Sequence, residues 1–264
     1  MDLFLKDKTV IITGASQGLG KASALAFAQE DAHVWIASRS EEKLKHAVED
    51  IQKQSGNKNV QYMACDMRDG AAITALVKNV AAKEGGIDVL VNNAGGPPAG
   101  GFLEMEDADW QAAFEQNLLS MVRASRAAIP YMQENTNGGR IVNITSSSIK
   151  QAIENLILSN TMRPGVLGLT KSMAQEFAAD QILVNTVGPG KIATDRITQL
   201  MEATAKKKGE HIEDVQSAQM AEIPMGRLGK PEEFAKAVLF LGSFANTYIT
   251  GQGLVVDGAS VQAL

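Results

Sequence analysis

The chain has 264 residues, 45% of them hydrophobic and 21% charged, enough apolar material for one extensive core or two small ones. Its net charge of −5 leaves no basic excess for a nucleic-acid footprint or an anionic membrane patch, and no run reaches the ~18 apolar residues of a membrane span. The single cysteine, Cys65, excludes an internal disulfide framework, and with no apolar leader at Met1–Lys8 the expected compartment is the cytoplasm.

The first apolar run, Val10-Ile11-Ile12, feeds the stretch Thr13-Gly14-Ala15-Ser16-Gln17-Gly18-Leu19-Gly20, which opens a helical pattern over Lys21–Gln29. Strand, glycine turn and helix is the order that a nucleotide phosphate site requires. Glycines let the backbone turn tightly and approach a ligand, and the helix N-terminus offers unpaired N–H groups and a positive dipole end to a diphosphate. An ordinary tight turn also collects glycine, so the flanking elements carry this reading.

Apolar runs then alternate with helical patterns. Val34–Ala37, Asn59–Ala64, Val89–Val91, Ile141–Ile144 and Ile182–Val184 read as strands. Glu41–Gln54, Ala71–Lys83, Asp109–Glu134 and about Leu156–Ala179 read as helices. Continuous apolar strands belong to sheets buried on both faces, and regular alternation with helices implies a parallel, doubly wound sheet with right-handed crossovers. No repeat, low-complexity tract or linker divides the chain, so one domain is expected over 1–264. The polar segment from Ile192 to about Glu222 breaks the rhythm before Pro231-Glu232-Glu233-Phe234 opens the last helix. An insertion after the sixth strand lies over the ligand crevice, so 192–225 is either a substrate lid or a solvated surface excursion.

The second strand ends Ala37-Ser38-Arg39-Ser40, about 20 residues past the glycine turn, where a dinucleotide domain chooses its cofactor. An acid here would bind a ribose 2′-hydroxyl and repel a 2′-phosphate. Ser38 does not repel it and Arg39 can pair with it, which favours NADP(H) over NAD(H). The rival reading pairs Arg39 with Glu41 or Glu42 as a solvated surface charge, and Gln17 stands where a second basic residue is wanted.

The chain resembles the short-chain dehydrogenase/reductase family over nearly its full length. The spacing Gly14-x-x-x-Gly18-x-Gly20 is that family's. Asp66, followed by Met67, matches its adenine-contacting acid, and Asn92-Asn93-Ala94-Gly95 matches its N-N-A-G signature. Pro189-Gly190-Lys191-Ile192-Ala193-Thr194 matches the element that holds the nicotinamide carboxamide, and the ending from Arg227 through Gly251 to Gly258 is also typical. The resemblance implies a single-domain Rossmann-type α/β fold, about seven parallel strands in the order 3-2-1-4-5-6-7 with helices on both faces. It implies a cofactor site over Gly14, Ser16, Gln17, Gly18, Leu19, Gly20, Ser38, Arg39, Asp66, Met67, Asn93, Ala94, Gly95, Pro189, Gly190, Ile192 and Thr194.

The family's proton relay uses Asn, Ser and a Y-x-x-x-K pair on one helix face, where the lysine lowers the phenol's pKa and holds the nicotinamide ribose. Asn117 and Ser146 match the first two. Counted back from Pro164-Gly165-Val166-Leu167-Gly168-Leu169-Thr170, the tyrosine position holds Ser159 and the lysine position Arg163. Serine is a poorer acid than a phenol. Arg163 keeps the charge and can bind ribose hydroxyls or a phosphate, but cannot release a proton at working pH. Lys150 and Glu154, on the intervening loop, are either substitutes or exposed charges; the proton source is then Lys150, or a water held by Ser146 and Ser159.

His33, His46 and His211 are scattered without ligand spacing, so no metal site is expected, and Cys65 reads as packing. Gly95–Gly101 reads as a loop rimming the pocket. The function expected is NADP(H)-dependent interconversion of a carbonyl and a secondary alcohol, resembling 3-oxoacyl-carrier-protein reductases and sugar or polyol dehydrogenases. The competing class is a catalytically impaired NADPH-binding sensor or scaffold. The expected partners are a small-molecule substrate and further copies of the chain, with neither nucleic acid nor membrane; the family implies a homotetramer built on the helices at Leu156–Ala179 and Pro231–Gly242.

Overall fold

Seven stretches offer apolar side chains to both sides of a pleated surface, and in the computed structural model, which describes residues 1–263, they pair into one sheet. The strands are β1 (Thr9–Thr13), β2 (His33–Ser38), β3 (Val60–Ala64), β4 (Val89–Asn92), β5 (Arg140–Ile144), β6 (Leu183–Pro189) and β7 (Gly253–Val256). Their order is β3-β2-β1-β4-β5-β6-β7, and every pairing is parallel. The expected fold and strand order are those observed.

The connections are α1 (Gly18–Gln29), α2 (Glu41–Ser55), α3 (Gly70–Glu84), α4 (Asp107–Phe114) and α5 (Ser120–Gln133). Then follow α6 (Ile157–Glu176), α7 (Asp195–Lys208), α8 (Ile212–Ala221) and α9 (Pro231–Leu241). Alternate strand residues face opposite sides. Val10, Ile12, Val34 and Ile36 pack with Phe27, Leu44, Ile51 and Phe234 from α1, α2 and α9. Ile11, Trp35 and Ala37 pack with Ile73, Leu76, Ala124 and Met173 from α3, α5 and α6. Fully burying one such aliphatic side chain contributes about 1.5–3 kcal/mol, so these two layers dominate the stability of the sheet.

The sequence pattern suggests one helix over 109–134, and here the structure differs. A π-helical turn at Glu115–Leu119 separates α4 from α5. Apolar periodicity continues through such a turn, so the pattern does not reveal it, yet the extra residue rotates Asn117 into the protein, where it is wholly buried. Residues 192–222 also carry more regular structure than their polarity suggests. α7 ends in Lys206-Lys207-Lys208, placed at the negative dipole end, and Gly209 caps it at φ 69°. Met201, Ala205 and Val215 join α7 to α8 in a small core of their own. Among the described residues, no helix is long and apolar enough to cross a membrane.

At the amino end of β5, Arg140 is buried and, among the described residues, has no carboxylate partner. Its guanidinium donates to the carbonyls of Gly139, Gln181, Ser243 and Asn246 at 2.9–3.2 Å and lies over the Phe244 ring. Burial lowers its pKa to about 10, and it remains charged at neutral pH. Cys65 is buried against Met67, and burial pushes its thiol up to about 11, so it packs and does not act as a nucleophile near neutral pH. Arg140→Ala strands four acceptors that draw β5, β6 and the segment after α9 together. The variant is expected to lose about 3 kcal/mol, at roughly 1 kcal/mol for each of the three fully buried hydrogen bonds, read as an earlier denaturation midpoint in urea.

Candidate active site

The glycine turn lies at the carboxyl end of β1, and close approach of Asn93 sets its shape. Thr13 Oγ1 donates to the Asn93 carbonyl and accepts from its N–H, both at 2.8 Å, and Asn93 Nδ2 donates to the Gly14 carbonyl at 2.9 Å. Gly14 has φ 57°, and a Cβ there would sit 2.7 Å from the Asn93 carbonyl oxygen. At Gly20 a Cβ would meet the Gly14 carbonyl at 2.5 Å. Only glycine fits at either position. Gln17 precedes α1 in extended conformation and makes no side-chain cap, so the first N–H groups of α1 lack that acceptor.

Ser38 ends β2 with its hydroxyl buried and, among the described residues, unpartnered. Arg39 beside it is exposed and forms no ion pair among the described residues; Glu41, one of its rival partners, is taken by Lys45 at 3.0 Å. The structure adds a second cation that the sequence reading missed: Lys43 Nζ lies 3.5 Å from Gln17 Oε1, carried to the glycine turn by the first turn of α2. Asp66 is gripped by Arg68, whose Nη2 and Nε reach its two oxygens at 2.7 and 3.2 Å and whose side chain holds the carboxyl below its ordinary value. The carboxylate expected at an adenine is therefore already engaged. Met67 keeps its side chain in the core beside Cys65.

A cleft of about 1080 Å³ opens over the carboxyl ends of β1, β4, β5 and β6. Gly14, Gln17, Gly18 and Leu19 line one end, and Asn93, Ala94, Gly95, Pro189, Gly190, Ile192 and Thr194 continue along it. Ser146, Ser159 and Arg163 line it as well. Asn117 stands behind the loop, its Nδ2 donating to the Gly95 carbonyl at 2.7 Å and its Oδ1 buried without a partner among the described residues. Ser146 caps the turn after β5 and accepts from the Ser148 N–H at 3.2 Å. Ser159 is buried, its hydroxyl 3.3 Å from that of Ser148.

Ser159 and Arg163 share a face of α6, four residues apart. Arg163 is 4% exposed, yet its only protein hydrogen bond among the described residues is from Nη1 to the Ile144 carbonyl at 3.3 Å. Its Nε is buried with no partner there. Burial lowers its pKa to about 10, with a smaller push from the charge of Arg196. Lys150 is exposed and does not line the cleft, whereas Glu154 does. Across the cleft stands Arg196, which the sequence reading also missed; its sole signal is its place two residues after Thr194.

The family model described as enoyl-(acyl carrier protein) reductase matches residues 14–259. A 3-oxoacyl-[acyl-carrier-protein] reductase of Thermotoga maritima is 37% identical over 97% of this chain and 99% of its own. An NADPH-dependent reductase, BacG, of Bacillus subtilis is 32% identical over 98% of this chain and 100% of its own. L-sorbose reductase of Gluconobacter frateurii, solved with NADPH and L-sorbose, superposes with a TM-score of 0.94 at 30% identity, covering 100% of both chains. With its strand order, its glycine turn and matches spanning almost the whole chain, the protein belongs to the short-chain dehydrogenase/reductase family.

Proposed function

We propose that the protein is an NADP(H)-dependent oxidoreductase that interconverts a ketone and a secondary alcohol, with a water held by Ser146 and Ser159 in place of the family phenol. One observation carries the reading. Arg163 is a buried cation with an unused donor, on the face of α6 that also presents Ser159 to the cleft. Ionic groups are not buried half-bonded without cost, and a dinucleotide ribose and its substrate are what such a donor can serve here.

The residues fit the cofactor. The cradle that admits no Cβ at Gly14 or Gly20 and the open N-terminus of α1 suit a diphosphate, and the unpartnered Ser38 hydroxyl suits a ribose. Arg39 suits a 2′-phosphate, while Asn93, Ile192 and Thr194 line the way to the nicotinamide end. When bound, the cofactor supplies or accepts a hydride at its nicotinamide ring. The protein's task is then the oxygen of the reacting carbonyl. Ser146 donates to that oxygen, Arg163 stabilises negative charge developing on it, and the water between Ser146 and Ser159 delivers the proton. The exposure of Lys150 away from the cleft supports water over lysine as the proton source. Doing without a positioned acid of matched pKa lowers the rate by about 10²–10⁴-fold, so slow turnover is expected. Exposed Tyr248, Ile249 and Leu254 at the β7 edge support self-association.

The deciding assay follows NADPH oxidation with ketones, 3-oxoacyl thioesters and ketoses, using Ser146→Ala as the control. Turnover that falls at least about 10²-fold in the variant, with NADPH affinity retained, is expected of an oxyanion donor. NADPH binding with no turnover on any carbonyl supports the sensor or scaffold reading instead. In fluorescence titrations, Arg39→Ala is expected to weaken NADPH about 10-fold or more and leave NADH nearly unchanged, as one charge-assisted contact requires. Equal losses for both cofactors overturn the role of Arg39. Arg163→Met is expected to leave the melting temperature of the cofactor-free protein unchanged or raise it while weakening NADPH, because the fold itself gives that charge a single hydrogen bond.

A further inference from the structure

Of the five cations that line the cleft, Lys191 and Lys207 have carboxylate partners, whereas Arg163, Arg196 and Lys208 form no ion pair among the described residues. Lys191 is paired with Glu222, and Lys207 stands 3.8 Å from Glu104. Arg196, the second residue of α7, lines the cleft opposite the catalytic floor. Its Nη2 donates to the Pro97 carbonyl at 2.7 Å, which ties α7 to the 95–101 loop. A Cβ added to Gly96 would lie 3.4 Å from the same nitrogen, so glycine there leaves the guanidinium room. One of five N–H donors is spent, and among the described residues no carboxylate forms an ion pair with it.

Two further features point into the same space. Arg163 presents a buried, unpartnered Nε, and its charge is near enough to Arg196 to be felt. Thr194 precedes α7 without a side-chain cap, so the positive end of a 14-residue helix also faces the cleft. Three carboxylates that form no ion pair among the described residues oppose this field. Asp195 lies in the first turn of α7, where the helix dipole already offsets its charge, Glu210 follows the end of α7, and Glu154 also lines the cleft. None of them pairs with Arg196. A planar fork anchored at one nitrogen, with spare donors, matches a carboxylate or phosphate better than it matches a hydroxyl.

We propose that the carbonyl substrate of this cleft carries an anionic group, a carboxylate or a phosphate, and that Arg196 reads it. This rests on the reductase reading above. The test uses matched pairs that differ only in charge at the distal group: acetoacetate against methyl acetoacetate, and dihydroxyacetone phosphate against dihydroxyacetone. Calorimetric titration into the NADP⁺-loaded full-length protein reads binding without turnover, and NADPH oxidation reads turnover separately. The wild type is expected to bind at least one anionic probe about 10-fold to 150-fold more tightly than its neutral partner. Arg196→Ala is expected to erase that preference while leaving NADPH affinity intact, and Arg196→Lys to recover part of it. Preference for acetoacetate alone or for the phosphate alone identifies the anion.

Three results overturn the inference. They are no preference in the wild type, an equal loss for charged and neutral probes in Arg196→Ala, or weakened NADPH binding in that variant, which makes Arg196 a cofactor ligand. Failure of all anionic binding beside turnover of neutral ketones sinks the inference and leaves the reductase reading standing. Arg196-dependent anion binding without any turnover does the reverse.

Discussion

Parallel pairing puts the carboxyl ends of all seven strands on one edge, and the rest of the molecule is arranged by that constraint. β1 delivers the glycine turn there, β4 delivers Asn93, β5 delivers Ser146 and β6 delivers Pro189 through Thr194. These residues are distant in sequence and meet because the strand order reverses direction between β1 and β4, leaving a crevice at the switch. A buried polar ladder fixes the strands behind the crevice. Asn92 donates to Asn143, Asn143 to Thr170, and Thr170 shares a 2.7 Å bond with Thr186. The ladder joins β4, β5, α6 and β6, so the helix that carries Ser159 and Arg163 is referenced to the same strands that lead to Asn93, Ser146 and Pro189–Thr194. In a close-packed interior such a network favours one arrangement, although Asn92 Oδ1 has no partner among the described residues.

Arg140 and Arg163 show how the two edges of the sheet differ. Both guanidiniums are almost fully buried, and burial lowers both pKa values to about 10. At the amino edge, Arg140 is satisfied by four backbone carbonyls and an aromatic face. At the carboxyl edge, among the described residues, Arg163 has one carbonyl and an orphaned Nε. The first pattern is what a structural charge requires. The second is a cost that the fold carries at a site and offsets elsewhere.

The strands were legible in the sequence because a sheet buried on both faces demands continuous apolar runs, and Val10-Ile11-Ile12 or Ile141–Ile144 leave few other options. The glycine turn was legible because two of its positions exclude any side chain. What escaped were features set by tertiary packing. The π-helical turn that buries Asn117 leaves apolar periodicity intact, and α7 and α8 bury only a narrow stripe, so they read as a polar excursion. Lys43 reaches Gln17 only because α2 starts where it does, and the Arg68 grip on Asp66 depends on a local turn. Arg196 gave no signal beyond its neighbourhood, since its partner Pro97 lies 99 residues away.

In the proposed reaction, Ser159 in place of a phenol alters more than acidity. A tyrosine oxygen stands far from its helix and reaches into a cleft, whereas a serine oxygen stays close to the backbone and here meets Ser148 at 3.3 Å. The volume left in front of α6 is open to water, and Ser146, Ser159 and Arg163 border it with hydroxyls and a cation. A water in that position has donors and acceptors enough to be held, which an apolar pocket would not provide. On that proposal the cation does electrostatically part of what a lysine does through the phenol: it favours the charged oxygen at the carbonyl and not the charged oxygen of a donor. Stabilising the product of hydride addition in this way relaxes the demand for a strong acid, because an alkoxide beside a guanidinium can wait for a proton from water. In the proposed relay, turnover without the phenol therefore rests on the buried, half-bonded Arg163.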